Sequence, residues 1–409
     1  MKILSLSPFS VNQAILLLAV AAGFSFVHAD DWPVLRGPER DGISNEEGLA
    51  KVTSAEVAWE KKVGLGYGAP VVGGGKVVIA GHDGGEKDTL FCFDEVTGDE
   101  KWKFSYPQPL ADLYFQGGTT GTATINGDRV YQIAREGELF CLDAEKGKVV
   151  WSTHLKKEFK YEKPDWGFTG APFVHGDHLL INAGESGLVL NRQDGSVVWK
   201  SETGKAGYST PYVFEKNGTQ YAIFSNEKYY VCVEAANGNT VWSHKWMTRY
   251  GVNAADPIVA GNHILIASGY GKGAELLQWS GSGEPKRVWK SRELKTQMNA
   301  ALLMGGYLYA IDGDEGKDMT SLKCLKFETG ETLWTEESVG HGTVSAAGDQ
   351  LIVLTEKGEL QIAMASPEGY EPHFKKQVLD PKVWTVPVFA NGKICCRNAS
   401  GQFIVLSVK

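Results

Sequence analysis

The chain has 409 residues, a formal net charge of −8 at neutral pH, 43% hydrophobic residues and six cysteines. This acidic balance disfavours duplex nucleic acid and anionic membrane surfaces as partners, because both carry negative charge themselves. Length alone would allow two or three domains, so the order of the elements has to decide how many there are.

The first 29 residues have the features of a secretory signal peptide. Lys2 gives a positive start, residues 14–27 form an apolar stretch, and Val27-His28-Ala29 resembles a cleavage site of the A-x-A kind. The apolar stretch is short for a membrane span, although a retained N-terminal anchor is the alternative. We expect residues 1–29 to be removed, which would shift the net charge to −9 because Lys2 is lost. The mature chain is then expected to be periplasmic or secreted, with no transmembrane segment.

One unit recurs every forty-odd residues. In five copies an apolar run precedes a turn glycine, and a tryptophan follows that glycine by four residues. The five pairs are Gly98 and Trp102, Gly147 and Trp151, Gly195 and Trp199, Gly238 and Trp242, and Gly330 and Trp334. A period in this range, built from strands and turns, is typical of the blades of a β-propeller.

The number of blades follows from the short turns that join the first two strands of each unit. Glycine and asparagine supply the positive φ that such tight hairpins need. The turns are Gly73-Gly74-Gly75, Asn126-Gly127, His175-Gly176, Asn217-Gly218, Gly261-Asn262, Gly305-Gly306, Gly348-Asp349 and Asn391-Gly392. We therefore predict an all-β, eight-bladed propeller with four antiparallel strands per blade and a single domain over residues 30–409.

The two ends of the chain are expected to form the eighth blade together. The last unit, residues 383–409, supplies only three strands, whereas residues 57–62 resemble a fourth strand with none before it. We predict that the strand containing Trp59 pairs with residues 402–408 and closes the ring, which also removes exposed sheet edges.

The cysteines follow the repeat rather than a disulfide framework. Cys92, Cys141, Cys232 and Cys324 each lie six residues before a turn glycine. Equivalent positions in separate blades should be too far apart to bond, so we expect four buried, unpaired thiols. Adjacent residues of a strand face opposite ways, and the sequence leaves open whether Cys395 and Cys396 form a vicinal disulfide.

These repeats resemble the pyrroloquinoline-quinone-type propeller repeat with its tryptophan-docking motif A-x-D-x-x-T-G-K-x-x-W. Asp94, Thr97, Gly98 and Trp102 match nearly the whole motif. The run WPVLRGP at residues 32–38 is similar to the W-P-x-x-R-G-P start of exported propellers from planctomycete-like bacteria, a group with no assigned chemistry. The resemblance covers essentially the whole mature chain and implies an exported propeller of this kind.

Two other kinds of protein share the repeat. Quinoprotein alcohol dehydrogenases are much longer and carry a catalytic Asp, a calcium site of Glu and Asn, and a Trp platform under the quinone. Those motifs cannot be aligned residue by residue with this chain. The outer-membrane-protein assembly lipoprotein is similar in size and blade count, but its lipidated Cys has no counterpart at the expected cleavage site.

From this comparison we expect a non-catalytic binding or scaffold module without a cofactor, and we assign no catalytic residue. The alternative is an oxidoreductase that depends on pyrroloquinoline quinone with calcium. The acidic run at residues 312–318 lacks the full spacing of a calcium loop, so we predict no metal site. The chain is expected to be a monomer.

The expected ligand site lies over the central channel. Long aromatic-rich loops at residues 103–118 and 152–168 lie on the face opposite the tight turns, and variable loops on a rigid scaffold commonly bind ligands. Aromatic and amide side chains there suit a sugar, a quinone or a peptide, although they would equally suit ordered water in a narrow channel. The expected partner is an unidentified protein, glycan or small molecule. The channel-rim candidates are Tyr67, Trp166, Tyr208, Asn253, Asn299, His341 and Trp384.

Overall fold

The computed structural model describes residues 30–112, 115–314 and 319–409, and these residues form eight antiparallel sheets arranged as propeller blades. The signal peptide expected at residues 1–29 lies outside the described residues. We number the blades 1 to 8 in chain order and letter their strands a to d from the channel outward. The prediction of an eight-bladed, all-β propeller is confirmed.

Blades 1 to 4 follow one another without exchange of strands. Blade 1 has Val71–Gly73, Lys76–His82, Lys87–Asp94 and Glu100–Pro107. Blade 2 has Thr124–Asn126, Arg129–Ile133, Glu138–Asp143 and Val149–His154. Blade 3 has Phe173–His175, His178–Ile181, Leu188–Asn191 and Val197–Lys200. Blade 4 has Tyr212–Lys216, Thr219–Ser225, Tyr229–Glu234 and Thr240–Lys245.

Blades 5 to 8 keep the same order, and the last blade takes its outer strand from the beginning of the chain. Blade 5 has Ile258–Ala260, His263–Ser268, Gly273–Gln278 and Lys286–Ser291. Blade 6 has Leu302–Met304, Tyr307–Asp312, Ser321–Lys326 and Thr332–Glu336. Blade 7 has Thr343–Ala347, Gln350–Leu354, Glu359–Met364 and Pro372–Gln377. Blade 8 has Val388–Ala390, Lys393–Arg397, Gln402–Val408 and Ala55–Lys62.

Ring closure occurs as predicted. Ala55–Lys62 pairs antiparallel with Gln402–Val408, with Ala55 opposite Val408 and Lys62 opposite Gln402. A bulge between Val57 and Trp59 turns the Trp59 ring toward blade 1, where its indole N–H donates to the Glu95 carbonyl at 3.1 Å. The closing strand thus completes blade 8 and also docks it on blade 1.

The same docking links other neighbouring blades around the rim. The indole N–H of Trp102 donates to Ala144 O at 2.9 Å, and that of Trp199 donates to Ala235 O at 2.9 Å. A turn glycine of the next blade packs on each ring; a Cβ added to Gly147 would lie 2.6 Å from the Trp102 ring. Only a glycine with positive φ fits so close to the indole. The tryptophan of one repeat therefore contacts the turn glycine of the following repeat, which joins the two blades.

Two departures from the pattern have structural causes. The outer turn of blade 5 contains an insertion filled by Trp279, and the Trp242 indole N–H, buried against it, has no hydrogen-bond partner among the described residues. Strand d of blade 7 carries Phe374 where the other blades have Trp. Blade 8 has no turn between strands c and d, since these come from opposite ends of the chain, so blade 7 has no such turn to dock on.

Residues 30–48, which we call the N-terminal segment, cross the central channel. Backbone atoms of Trp32 and Val72 exchange two hydrogen bonds, and Ile43–Ser44 adds a parallel strand to the channel side of blade 7. The segment lies at the end of the channel where the a–b turns are, because Asp31 accepts a hydrogen bond from Gly74 N at 3.0 Å. The segment closes the channel at this end. The repeat pattern in the sequence did not predict its position.

All six cysteines are buried free thiols. Burial raises the pKa of Cys92 and of Cys395 to about 12. Cys395 packs in the core between blades 8 and 1, whereas Cys396 packs in the core between blades 7 and 8. The expectation of unpaired cysteines in the repeat column is confirmed, and the adjacent pair faces opposite sides of its sheet.

Helical structure in the described residues is limited to single turns. They are the α-helix Leu155–Glu158 and the 3₁₀ helices Leu49–Lys51 and Glu337–Val339. None of the helices in the described part of the chain is long and apolar enough to span a membrane.

Candidate functional site

A cavity of about 280 Å³ occupies the central channel. Leu35 and Arg36 of the N-terminal segment form its floor, and its walls are the loops that lead into strand a of successive blades. The lining residues are Leu35, Arg36, Tyr67, Ala69, Phe115, Thr120, Thr122, Trp166, Thr169, Tyr208, Val252, Ala254, Asp256, Tyr270, Gln297, Met298, Asn299, Ala300, Trp384, Thr385 and Val386. Because the floor lies at the a–b turn end, the cavity faces the opposite end of the propeller.

Aromatic side chains form a continuous series along one side of this cavity. Trp384 and Tyr67 are stacked, with ring centroids 5.5 Å apart and an interplanar angle of 29°. Phe115 follows at 5.5 Å from Tyr67, and Trp166 at 5.4 Å from Phe115. We call Trp384, Tyr67, Phe115 and Trp166 the aromatic arc. Flat rings at the edge of a cavity offer large apolar contact at little cost in side-chain entropy.

Trp384 is held in place from several directions. Its indole N–H donates to Glu356 Oε1 at 3.2 Å, and the Lys382 ammonium lies 3.9 Å from its ring centroid. The His341 ring meets it edge-on, with centroids 5.4 Å apart. A ring fixed before binding loses little freedom when a ligand stacks on it.

Polar groups lie between the aromatic rings. The Tyr208 hydroxyl accepts a hydrogen bond from Trp166 N at 3.3 Å, and burial raises the pKa of this phenol. The buried Thr120 hydroxyl has no hydrogen-bond partner within the described residues. An unsatisfied hydroxyl in a cavity wall can bind a polar group of a ligand, or water.

The floor carries a guanidinium group. Arg36 donates to the backbone carbonyls of Arg40, Asp41, Ala300 and Ala301 at 2.7–3.1 Å. A guanidinium has five N–H donors, so these four bonds leave one N–H of Nη1 for a further acceptor. Burial lowers the pKa of Arg36, yet arginine keeps its charge at neutral pH.

Asp256 is the carboxylate in the cavity wall, and it is already engaged. Its Oδ2 lies 2.8 Å from Arg40 Nη2, and its Oδ1 accepts the Thr210 N–H at 2.7 Å. Both carboxylate oxygens are therefore bonded within the protein, and Asp256 links Arg40 of the N-terminal segment to the loops before strand a of blades 4 and 5.

Five of the seven rim candidates line the cavity: Tyr67, Trp166, Tyr208, Asn299 and Trp384. His341 lies behind Trp384 and lines a second, much smaller cavity.

Asn253 does not reach the rim. It is fully buried, its amide donates to Asn226 O and Trp246 O, and its oxygen accepts from Ser268. Asn253 holds the connection between blades 4 and 5 in place, because its side chain is hydrogen-bonded to the loop after strand d of blade 4.

The two aromatic-rich loops contribute unequally. Phe115 and Trp166 line the cavity, whereas Tyr106, Tyr161 and Phe168 are buried in the blades. Tyr114, also in the first loop, lies outside the described residues.

Sequence reasoning missed the floor and Tyr270. Arg36 lies in the WPVLRGP run, which carries no repeat periodicity that could place it, and Tyr270 belongs to the b–c turn of blade 5 rather than to an interblade loop. The unusual density of charge and glycine at residues 36–42 was the available signal for Arg36.

The cavity does not gather the donors of a calcium–quinone pair. Asp256 is bonded to Arg40 and Thr210, and within the described ranges no three His, Cys, Asp or Glu side chains converge as a metal site. Calcium requires several oxygen ligands around one point, so these residues do not fit that ion.

Comparison with known proteins gives two groups of relatives. The outer membrane protein assembly factor BamB of Burkholderia pseudomallei is 24% identical over 199 residues, 47% of each chain. The protein of that name from Shewanella oneidensis is 21% identical over 404 residues, 90% of this chain and 93% of the relative. The quinoprotein ethanol dehydrogenase of Pseudomonas aeruginosa is 27% identical over 168 residues, 40% of this chain and 23% of the relative.

Solved structures include members of both groups. BamB from Moraxella catarrhalis aligns with a TM-score of 0.64 at 14% identity, over 87% of this chain and all of that chain. The quinohemoprotein alcohol dehydrogenase from Comamonas testosteroni aligns with a TM-score of 0.69 at 15% identity, over 92% of this chain and 80% of that chain. At these identities the likeness concerns the fold.

The family model described as the outer membrane protein assembly factor BamB matches residues 87–335, which is more than half of the chain. The match spans the docking repeats of blades 1 to 6. The protein therefore belongs to this family of pyrroloquinoline-quinone-type propeller repeats.

Proposed function

We propose that the protein is an exported, non-catalytic binding module that holds a flat ring of its ligand in the central cavity. The observation that carries this proposal is the aromatic arc, in which three successive ring pairs have centroids 5.4–5.5 Å apart along one wall. Each base-like or sugar-like ring that stacks on an indole gains both apolar burial and a favourable ring contact.

The ligand is expected to enter from the interblade-loop face, since the N-terminal segment closes the other end. Its polar end would accept a hydrogen bond from the remaining N–H of Arg36. The ligand class is thus a ring that offers a face for stacking and an acceptor group, presented by a small molecule, a glycan or a protein side chain.

The setting we propose is the periplasm or the cell exterior. The relatives named as outer membrane protein assembly factors support a scaffold role beside the bacterial envelope. We propose a protein as partner and a monomeric chain. We propose no cofactor and no catalytic residue.

The test uses two fluorescent probes with the same rings. 1-Anilinonaphthalene-8-sulfonate has an anionic acceptor group, and N-phenyl-1-naphthylamine lacks it. Titration of the folded protein should give saturable binding of both probes, with the sulfonate bound more tightly. Trp384→Ala or Trp166→Ala should weaken binding by about 1–3 kcal/mol, while Trp384→Phe should retain most of it.

Met364→Ala is the matched control, because Met364 is 58% exposed on the outer part of blade 7 and remote from the channel. Its probe affinity should equal that of the unchanged protein. Probe binding that is insensitive to both tryptophan changes would contradict the proposal, as would binding that depends on the Asn126-Gly127 turn at the opposite end.

The second candidate is a quinone-dependent oxidoreductase, which the similarity to quinoprotein ethanol dehydrogenase favours. Dialysis with pyrroloquinoline quinone and calcium, followed by an absorbance spectrum, separates the two candidates. A stoichiometric chromophore in the protein fraction would reverse the order of the proposals.

A further inference from the structure

Glu46 is a buried carboxylate whose hydrogen bonds include no cationic side chain. It is 1% exposed, and it accepts N–H groups from Asn391 at 2.5 Å and from Gly392 at 2.8 Å. Over the described residues no Lys, Arg or His nitrogen lies within ion-pair distance of it. Burial of a carboxylate without a countercharge is unfavourable, so a positive group beside Glu46 would stabilise it.

The third donor to Glu46 is the backbone nitrogen of Asp30, at 3.3 Å from Oε1. Asp30 is the first residue after Val27-His28-Ala29, the cleavage site expected from the sequence. In the uncut chain this nitrogen is a neutral amide with one N–H. At a chain end it would be an ammonium with a full positive charge and three N–H donors.

We propose that processing between Ala29 and Asp30 creates an α-ammonium that forms a buried ion pair with Glu46 and locks the N-terminal segment in the channel. A signal peptidase would hydrolyse the Ala29–Asp30 peptide bond with one water molecule. The carboxylate leaves with Ala29, and the amine of Asp30 takes up a proton, since α-amino groups have pKa values of about 7.7–8.0.

The position of this ion pair gives it a structural consequence. Asn391 and Gly392 form the a–b turn of blade 8, and Asp31 bridges that turn to blade 1 through Asn391 Nδ2 at 3.1 Å and Gly74 N at 3.0 Å. The new chain end is therefore held between the a–b turns of blades 8 and 1, where the ring closes. The floor of the cavity becomes firmly held only in the exported, processed protein.

The first measurement is the mass of the protein isolated from the envelope or culture medium of its host. The expected mature chain begins at Asp30. A different first residue would overturn the proposal, because the charge would then lie elsewhere.

The second measurement compares chains of residues 30–409 and 29–409, each released from a cleavable tag. They differ only by Ala29, which converts the Asp30 nitrogen from an ammonium to an amide. Trypsin cleavage after Arg36 and Arg40 reports opening of the N-terminal segment, since proteolysis follows the open population. We expect cleavage of the 30–409 chain to be slower by about fivefold or more.

Glu46→Gln should abolish the difference between the two chains, whereas Glu47→Gln, a change at the exposed neighbouring carboxylate, should preserve it. Equal cleavage rates for the two chains with Glu46 present would refute the ion pair. A rate difference that persists in Glu46→Gln would also refute it. Nα-acetylation of the 30–409 chain gives the same comparison without any substitution.

Discussion

The tryptophans of the outer rim and those of the channel are the same residue type in opposite situations. On the rim, Trp102 and Trp199 each donate to a carbonyl of the next blade and pack beneath one of its turn glycines. In the channel, Trp384 and Trp166 stack with other aromatic rings along a cavity. The rim rings complete contacts between blades, whereas the channel rings line the cavity.

In a repeat protein, sequence spacing separates aromatic residues that join the repeats from those that line a cavity. A rim tryptophan follows the repeat spacing because its partner, a turn glycine, also follows the repeat. Trp166 and Trp384 lie in interblade loops of unequal length, where no repeat partner constrains them. Five experiments test whether the two classes of tryptophan differ in this way.

The largest effect is expected from removal of the ring closure. Deletion of residues 30–62 removes the strand Ala55–Lys62 and exposes the edge of Gln402–Val408. We expect loss of cooperative thermal unfolding, monitored by circular dichroism, because closure no longer couples blades 8 and 1. Unchanged melting of the truncated chain would show that the ring does not depend on its closing strand.

Alanine substitution compares the two tryptophan classes directly. Trp199→Ala should lower the free energy of unfolding by about 3–5 kcal/mol, because a buried indole is lost. Trp384→Ala should lower it by less, since that ring is only half-buried and lines the cavity. Urea denaturation measures both, and equal losses would erase the distinction.

A glycine pair tests the packing on the rim. Gly147→Ala should cost about 2–4 kcal/mol, because the new Cβ would lie 2.6 Å from the Trp102 ring and φ is +63°. Gly127→Ala is the matched control: φ is +58° but no atom lies within 4 Å, so a cost of about 1 kcal/mol is expected from strain alone. Similar values for the two variants in urea denaturation would argue against tight glycine–indole contact.

Trp242 is the exception among the rim tryptophans. Trp199→Phe removes an indole N–H that is bonded to Ala235, whereas Trp242→Phe removes one without a hydrogen-bond partner in the described chain. The first change should cost about 1 kcal/mol more than the second. Matched denaturation curves measure this difference, and a larger cost for Trp242→Phe would indicate an acceptor bound to that indole in solution.

The smallest effect concerns the loop that brings Phe115 into the channel. Arg135 donates to Pro109 and Leu110 in this loop, and burial raises the pKa of the nearby Asp88 to about 7 in the folded protein. The unfolded chain loses that proton at a much lower pH, so Asp88 stabilises the folded state at low pH and this contribution disappears as pH rises through about 7.

Urea midpoints at pH 5.5 and pH 8 should therefore show a smaller pH difference in Asp88→Asn than in the unchanged protein. Glu86→Gln, at an exposed carboxylate on the same turn, serves as the control. An Asp88→Asn variant with the full pH difference would contradict the assignment to Asp88.

Sequence periodicity could predict the ring, because each blade repeats the same local contacts. The eight a–b turns and the three-strand remainder at the C-terminus were enough to deduce blade count and closure. The position of the N-terminal segment could not be predicted. Its contacts with Val72, Ala300 and Ala346 have no counterpart in the other blades and follow no repeat.

The rim candidates show the same limit at the level of single residues. Asn253 and Asn299 occupy similar local sequences, V-N-A-A and M-N-A-A, yet Asn253 is buried and Asn299 lines the cavity. The difference arises from Trp246, whose carbonyl accepts from Asn253. A tetrapeptide cannot reveal a loop that folds back over it.

Ring closure also has a kinetic consequence. The backbone of Thr53 meets that of Lys409, 356 residues away along the chain. Contacts of such long range slow folding, because the entropy of loop closure is lost before the contact forms. During synthesis, which starts at the N-terminus, individual blades can fold early. The strand Ala55–Lys62 can pair only after residues Gln402–Val408 have been made. Until they arrive, the Ala55–Lys62 strand is unpaired and exposed to aggregation, so the interval between the synthesis of this strand and that of the last blade sets the period in which the nascent protein needs protection.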